Sequence, residues 1–150
     1  MDFVRTKNMV KLHEGLRLTA YKDSLGFWTI GYGHLLNQNR DWYGYTITQA
    51  EADALFDKDW EEHVLDLVAA IPWIVFLDDV RQAVLADMCF NLGIEPFDHD
   101  GYKDWPIFIG QVKEGAYSEA AQNMWSTLWA KQVKERAERL AKMMETGKWE

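Results

Sequence analysis

The sequence predicts an α+β protein that is predominantly helical, in which a long helix joins a small β-hairpin lobe to a larger helical lobe. Three observations predict this class. Residues 21–30 alternate as strand, turn and strand around a glycine. The tetrapeptide at residues 48–51 has the capping-box pattern that begins a helix. From residue 77 onward, apolar side chains recur at helical spacing.

The length of 150 residues indicates one domain with enough chain to bury a sizeable core. We expect residues 1–150 to form this domain, with a small lobe over about residues 14–60. The helical lobe would take about residues 1–13 and 61–150. A hydrophobic content of 48% and an aromatic content of 14% exclude a disordered chain.

The first predicted helix ends beside an acidic residue. Residues 3–13 place apolar side chains roughly at helical spacing, namely Phe3, Met9, Val10 and Leu12. Gly15 then supplies a typical C-terminal cap, so Glu14 would lie at the negative end of the helix dipole. This position disfavours the carboxylate form and predicts a raised pKa for Glu14, which a general acid needs.

The predicted hairpin places a second carboxylate at its turn. Residues 21–30 contain Asp23 at the turn and Gly26 where the chain bends. A hairpin that folds back on the helix end can bring Asp23 opposite Glu14 across a cleft. Taken singly, Glu14 could be a solvated helix end and Asp23 only a turn former. Two carboxylates placed in this way suit a glycosidase, because one protonates the leaving oxygen and one activates water.

The segment that contains these residues resembles the active-site hairpin of the phage-type lysozymes, the muramidase endolysins of glycoside hydrolase family 24. The family signature is Glu, eight residues, Asp, five residues and Thr, followed by Ile-Gly-x-Gly-His. Glu14, Asp23 and Thr29 match it, and residues 30–34 complete it. The resemblance covers nearly the whole chain and is most specific over residues 14–36.

The resemblance implies a lysozyme-like two-lobed fold and a function as an endolysin in host cell lysis. The enzyme would hydrolyse the β-1,4 bonds between N-acetylmuramic acid and N-acetylglucosamine in peptidoglycan, with inversion. Glu14 would be the general acid. Asp23 would position or activate the water, and Thr29 would help to hold it. Two alternatives remain: a lytic transglycosylase, and a lysozyme-like module that binds the wall without cutting it.

A long helix follows the hairpin region. The capping box predicts that it begins near residue 48 and runs to about Ala70, before Pro72. Apolar residues along it are Leu55, Phe56, Val64, Leu65 and Val68. The resemblance also implies a structural salt bridge between His34 and Asp59. The alternative is a satisfied core histidine and one more solvated aspartate.

The resemblance assigns further residues around the catalytic set. Substrate contacts are implied for Leu35, Phe90, Asn91 and Asn123, although Phe90 could equally be a core residue. Arg136 corresponds to the family arginine that pairs with the catalytic glutamate. A sugar-contacting serine of the family falls at Phe108 here, so that contact is not expected.

Neither a metal nor any other cofactor is expected. The tripeptide of residues 98–100, Asp-His-Asp, is a poor metal site in a glycine-containing loop. Cys89 is the single cysteine, which excludes an intramolecular disulfide. Because Cys89 lies in an apolar helical run, we interpret it as a small buried hydrophobe and not a nucleophile.

The charge pattern and the absence of targeting signals limit the partners. The net charge is −8, and residues 41–110 carry three Lys/Arg against fifteen Asp/Glu. No basic stripe is available for nucleic acid, so nucleic-acid binding is not expected. The resemblance implies the glycan strand of peptidoglycan as the partner. No apolar stretch is long enough to span a membrane, so stable membrane insertion is not expected.

The N-terminal residues show no apolar segment typical of a secretory signal. Together with the resemblance, this implies an enzyme that is located in the host cytoplasm, is a monomer and acts on the periplasmic cell wall after release. In phage endolysins a holin pore is the usual, indirect release partner.

Overall fold

The computed structural model describes residues 1–94, 97 and 105–150. The described chain divides into two compact units. We call Lys7–Glu62 the hairpin unit, and Met1–Thr6 with His63–Glu150 the helical unit. The organisation as one domain with the lobe boundaries given above stays a prediction.

The elements of secondary structure agree with the predicted α+β, predominantly helical class. The helices are α1 (Phe3–Glu14), α2 (Gln49–Ala70), α3 (Asp79–Leu92), α4 (Trp105–Glu114), α5 (Tyr117–Trp125) and α6 (Leu128–Thr146). A 3-10 helix, Pro72–Phe76, lies between α2 and α3. The strands are β1 (Arg17–Lys22), β2 (Trp28–Gly31) and β3 (His34–Leu35).

The three strands form one antiparallel sheet in the order β1-β2-β3. The predicted turn closes with a hydrogen bond from Asp23 N to Phe27 O of 2.9 Å, and Gly26 has a φ of +84°. Strand β1 begins at Arg17, four residues before the predicted start. The extension is stabilised by residues distant in sequence, because Ala20 N donates to Tyr45 O at 2.9 Å.

Helices α1 and α2, which precede and follow the sheet, have the predicted ends. Gly15 follows α1 with a φ of +71°, and its N–H donates to Lys11 O at 3.0 Å. At the start of α2, Glu51 N donates to Thr48 Oγ1 at 3.1 Å, and Thr48 N donates to Glu51 Oε1 at 3.3 Å. These reciprocal bonds are the predicted capping box. The helix ends at Ala70, as expected before Pro72.

The buried faces of α1 and α2 are narrower than their apolar residues suggest. In α1, Met9 and Val10 are buried, whereas Phe3 and Leu12 are exposed. In α2, Leu65 is 64% exposed although it belongs to the apolar pattern. The buried residues of this helix are Phe56, which belongs to the predicted pattern, and Ala52, Trp60 and Leu67, which do not. A helix buries only the residues that share one face, so an apolar residue on another face stays in solvent.

The helical unit contains the larger core. Helix α3 is buried along most of its length, from Val80 to Cys89. Its N-terminus is capped by Asp78, whose side chain accepts from Arg81 N at 3.0 Å, and it stops at Gly93 with a φ of +80°. Helix α6 packs against α3 and α5 and contains non-helical backbone at Lys134.

Within the described part of the chain, no helix has both the length and the apolar composition that a bilayer span requires. Residues 98–100, at which we expected no metal site, lie outside the described residues.

Candidate active site

The carboxylate of Glu14 lies against the backbone of the turn between β2 and β3. Glu14 is the last residue of α1, as predicted. A Cβ built on Gly33 would come within 2.8 Å of Glu14 Oε2. Gly33 also has a φ of +78°, a left-handed conformation that favours glycine. The Gly-x-Gly of the signature therefore makes room for the carboxylate of Glu14.

The carboxylate of Asp23 is fixed by the turn that it begins. Its Oδ1 accepts hydrogen bonds from Leu25 N and Phe27 N, both of 2.9 Å. Within the described residues, both bonds go to the same oxygen, so Oδ2 is available to a water molecule. Two backbone N–H donors orient this carboxylate more firmly than solvent would.

Thr29 lies on β2 and is buried, with an exposure of 3%. Its Oγ1 donates to Phe27 O at 2.9 Å. A carbonyl oxygen can only accept, so the hydroxyl proton is used in this bond. Toward a water molecule, Thr29 can therefore act only as an acceptor. In the sheet register it lies directly between Tyr21 on β1 and Leu35 on β3.

Tyr21 is a site residue that the sequence reasoning did not single out. The guanidinium of Arg17 lies 4.1 Å from the centre of its ring. Burial raises the pKa of the Tyr21 phenol; Arg17 opposes this shift, and the charges of Glu14 and Asp23 add to it. The phenol is thus close enough to both carboxylates to sense each charge. Its position two residues before Asp23, at the start of the predicted hairpin, was the available signal.

His34 and Asp59 make the contact that the resemblance implies. His34 Nδ1 lies 2.7 Å from Asp59 Oδ2, and both side chains are largely buried. His34 is on β3 and Asp59 is on α2, so the contact joins the sheet to the helix within the hairpin unit. The structural role of this pair stays a prediction.

Four of the predicted site residues belong to the helical unit, where each contacts a neighbour. The ring of Phe90 lies 5.0 Å from that of His63. Asn91 Oδ1 accepts from Trp129 Nε1 at 2.6 Å. Asn123 Nδ2 donates to Gln111 Oε1 at 2.7 Å, and Arg136 Nε donates to Asp87 Oδ1 at 2.8 Å. The roles of Phe90, Asn91 and Asn123 toward a substrate, and of Arg136 toward Glu14, stay predictions.

Asp87 was not predicted as a partner of Arg136. It is fully buried on α3, and Arg136 is almost fully buried on α6. An aspartate in a helical apolar run gives only a weak indication that it is buried, because most aspartates face solvent.

Cys89 is buried in α3, as predicted. Burial raises the pKa of its thiol to about 12, and the charge of Asp66 adds to the effect. A thiol with this pKa stays protonated at neutral pH and is a poor nucleophile. Cys89 is therefore not a candidate for nucleophilic catalysis.

These groups define a class of protein. Glu14, Asp23 and Thr29 lie around one short hairpin, together with the phenol of Tyr21. Two carboxylates and a hydroxyl that can accept from water are the groups that general acid–base hydrolysis of a glycosidic bond uses.

The comparison with known proteins identifies the family. Residues 11–145 match the family described as Phage lysozyme. The chain therefore belongs to the phage lysozyme family, and it is a glycoside hydrolase of the muramidase type. The family and its endolysin relatives define it as a peptidoglycan-lysing enzyme of the endolysin kind.

Individual relatives agree with this assignment. The chain is 26% identical to "Probable T4-type lysozyme 1" of Dictyostelium discoideum over 164 aligned residues, which cover 94% of each chain. It is 36% identical over 120 residues to an endolysin of Acyrthosiphon pisum secondary endosymbiont phage 1, covering 79% of this chain and 75% of the relative. It is 34% identical over 92 residues to the endolysin of Salmonella phage P22, covering 59% and 60%.

Proposed function

We propose that this protein hydrolyses the β-1,4 bond between N-acetylmuramic acid and N-acetylglucosamine, with inversion at the anomeric carbon. The observation that carries the proposal is that one small sheet holds both carboxylates. Glu14 Oε2 lies against Gly33 in the turn between β2 and β3, and Asp23 Oδ1 accepts from two backbone N–H groups in the turn between β1 and β2. Inversion needs carboxyl groups about 6.5–9.5 Å apart, which leaves room for a water between base and sugar.

Glu14 acts as the general acid in this proposal. Its protonated carboxyl donates a proton to the glycosidic oxygen, so that the N-acetylglucosamine side leaves as an alcohol. The end of α1 favours the protonated form, because the helix dipole is negative there. Gly33 supports the assignment, since its lack of a side chain keeps the space beside Glu14 Oε2 open.

Asp23 and Thr29 hold the attacking water. The water donates one hydrogen to Asp23 Oδ2 and the other to Thr29 Oγ1. One of its lone pairs then faces the anomeric carbon on the side opposite the leaving oxygen. As the new C–O bond forms, Asp23 takes the proton from the water. The backbone N–H groups of Leu25 and Phe27 keep this carboxylate in place during the transfer.

Further residues would contact the substrate or pair with Glu14. Leu35 is exposed beside Thr29 in the sheet register, which suits a contact with a sugar ring. We assign Phe90, Asn91 and Asn123 to further sugar contacts, and Arg136 to a charge partner of Glu14. The contacts of these residues within the helical unit would fix their rotamers for this task.

The similarity to endolysins supports a proposal for the biological setting. We propose that the protein is a monomer, accumulates in the host cytoplasm and reaches the periplasmic cell wall after release through a holin pore. Host lysis is then the result of its activity.

Two other functions use a similar set of residues. A lytic transglycosylase would close the muramic sugar on its own 6-hydroxyl, and would not need a water held by Asp23 and Thr29. A wall-binding module without activity would not need Glu14. The retention of all three residues, with Asp23 and Thr29 both oriented by the hairpin backbone, favours the hydrolase.

The test is product analysis on purified peptidoglycan. We expect muropeptides with reducing N-acetylmuramic acid, and NMR of the first product should show the inverted anomer. Glu14→Gln should lower the rate by about 10²–10⁴-fold with an unchanged melting temperature. Glu62→Gln, an exposed control on α2, should be silent. A 1,6-anhydro product would indicate the transglycosylase, and full activity of folded Glu14→Gln would refute the assignment of the acid.

A further inference from the structure

Trp125 differs from the other tryptophans of this chain. It is the last residue of α5, and at 49% exposure it is the only one of the eight tryptophans that is exposed. Among the described residues, its ring makes no aromatic or cation contact and its indole N–H makes no hydrogen bond. By contrast, Trp129 donates its N–H to Asn91, and Trp149 lies 4.5 Å from the guanidinium of Arg5.

Two cavities of the helical unit share the indole of Trp125. The first has a volume of about 330 Å³ and lies along α6, with Lys131 and Lys134 in its wall. The second has a volume of about 360 Å³ and lies between α5 and α6, with Gln122 and Lys142 in its wall. Glu138 and Trp125 line both. Each volume lies at the lower end of the range for ligand pockets, about 300–1,000 Å³.

The groups around the indole are those that bind sugars. A flat apolar face with an unused N–H can pack against the C–H face of a pyranose ring and donate to one of its oxygens. The amide of Gln122 and the carboxylate of Glu138 can pair with hydroxyl and N-acetyl groups on either side.

The walls of the two cavities carry charges of both signs: Lys131 and Lys134 with Glu135 and Glu138 in the first, and Lys142 with Glu138 and Glu145 in the second. Residues 111–150 carry seven Lys/Arg and six Asp/Glu, in a chain whose net charge is −8. Lys131 and Lys134 can approach the carboxylates of the peptide stems on a muramyl strand. Residues 41–110, with three Lys/Arg against fifteen Asp/Glu, would repel these carboxylates more strongly than this nearly neutral region does.

We propose that Trp125 and its two flanking cavities form a second glycan-binding site, which holds a strand of peptidoglycan independently of the catalytic hairpin. The indole separates two sugar subsites, one in each cavity. The site would retain the enzyme on an insoluble wall between cleavage events. The identity of the glycan rests on the proposed function, whereas the existence of a binding surface does not.

The test measures binding and cleavage separately. Binding to purified peptidoglycan sacculi is followed by co-sedimentation in the Glu14→Gln background, so that the wall stays intact. Trp125→Ala should weaken binding by about tenfold or more, and Trp125→Tyr should weaken it less. Phe76→Ala is the matched control, because Phe76 is 88% exposed in the same unit. Lys131→Ala should weaken binding to intact sacculi more than to glycan strands stripped of peptide.

In the wild-type background, Trp125→Ala should slow the digestion of sacculi and leave the rate on a soluble muropeptide oligomer unchanged. Equal binding of folded Trp125→Ala and its parent would overturn the proposal. A change of oligomeric state without a change of binding, detected by light scattering, would also overturn it and assign the face to a second copy. Absence of any muropeptide release by the wild type would contradict the proposed function alone.

Discussion

The hairpin unit and the helical unit hold their important side chains in different ways. In the hairpin unit, backbone geometry places the carboxylates: two N–H groups orient Asp23, and the bare Cα of Gly33 makes room for Glu14. The core beneath the sheet is small and centres on Ile30, Ile47 and Ala52. In the helical unit, long helices pack their apolar faces, and a buried ion pair lies within that packing.

The carboxylates in the two units therefore have different surroundings, which suit chemistry in one unit and structure in the other. Asp23 keeps one carboxylate oxygen available because its other oxygen is satisfied by a turn. Asp87 uses its carboxylate inside a core, where its partner Arg136 compensates the charge. We therefore expect substitutions of Glu14 and Asp23 to change activity at little cost in stability. Substitutions of Asp87 or Arg136 should mainly lower the free energy of unfolding.

The largest expected effect on stability comes from breaking the pair of Asp87 and Arg136. Asp87→Ala leaves the guanidinium of Arg136 buried without this partner, which should cost about 3–5 kcal/mol in the free energy of unfolding. Arg136→Ala should cost a similar amount and also lower activity. Urea denaturation measures both losses.

Lys142→Ala is the matched control for this experiment. Lys142 pairs with Glu150 at 3.0 Å on the surface of the same unit, where an ion pair contributes less than about 1 kcal/mol. Equal losses in the free energy of unfolding for Asp87→Ala and Lys142→Ala would show that the buried pair stabilises the fold no more than the surface pair.

The same difference explains what could be predicted from the sequence. The capping box at Thr48, the glycine stops and the hairpin turn are local signals, so the sequence predicted their elements correctly. The early start of β1 was missed because it depends on Tyr45, which is distant in sequence. Exposed Leu65 and buried Asp87 were missed because burial depends on which face of a helix meets a neighbour.

The candidate site was predictable in its residue types and less so in its supporting contacts. The motif spacing singled out Glu14 and Asp23, because their chemistry has a recognisable pattern. The register that places Tyr21 beside Thr29 requires the folded sheet. A sequence gives no distance between strands, so the influence of both carboxylates on Tyr21 became visible only in the structure.

A substitution of Gly33 tests whether activity depends on the space beside Glu14 as well as on its charge. Gly33→Ala adds a Cβ beside Glu14 Oε2 at a φ of +78°. We expect about 1–2 kcal/mol of backbone strain and a loss of activity on the order of tenfold, because the carboxylate must move. Gly44→Ala is matched in φ, at +77°, but its Cβ meets nothing within 4 Å.

The two glycine variants should therefore share the loss of stability and differ in activity. Thermal unfolding and the rate of sacculus digestion measure these quantities. If Gly44→Ala loses as much activity as Gly33→Ala, strain alone accounts for the effect and the space beside Glu14 is unimportant.

The pair of His34 and Asp59 should have a smaller effect. Asp59→Asn removes one charge from a largely buried contact of 2.7 Å between β3 and α2. A hydrogen bond to a charged group contributes about 1.5–3 kcal/mol, and partial exposure reduces this to about 1 kcal/mol here. The measurement is urea denaturation at pH 6, with Glu62→Gln as the exposed control on the same helix. Equal stability of Asp59→Asn and Glu62→Gln would show that the pair does not stabilise the fold.

The smallest effect is expected at Asp53, on the surface of the hairpin unit, and it appears only as a dependence on pH. The hydrogen bond from Lys11, 2.9 Å long, lowers the pKa of Asp53 below its usual value of 3.8. Because the folded pKa is the lower one, the contribution to stability is present above pH 3.8 and is lost as the pH falls through the folded value. Asp53→Asn should therefore lower the stability slightly at pH 6 and leave it unchanged near pH 2. Denaturant titrations of wild type and variant at both pH values provide the measurement, and a difference that is the same at both would contradict the assignment.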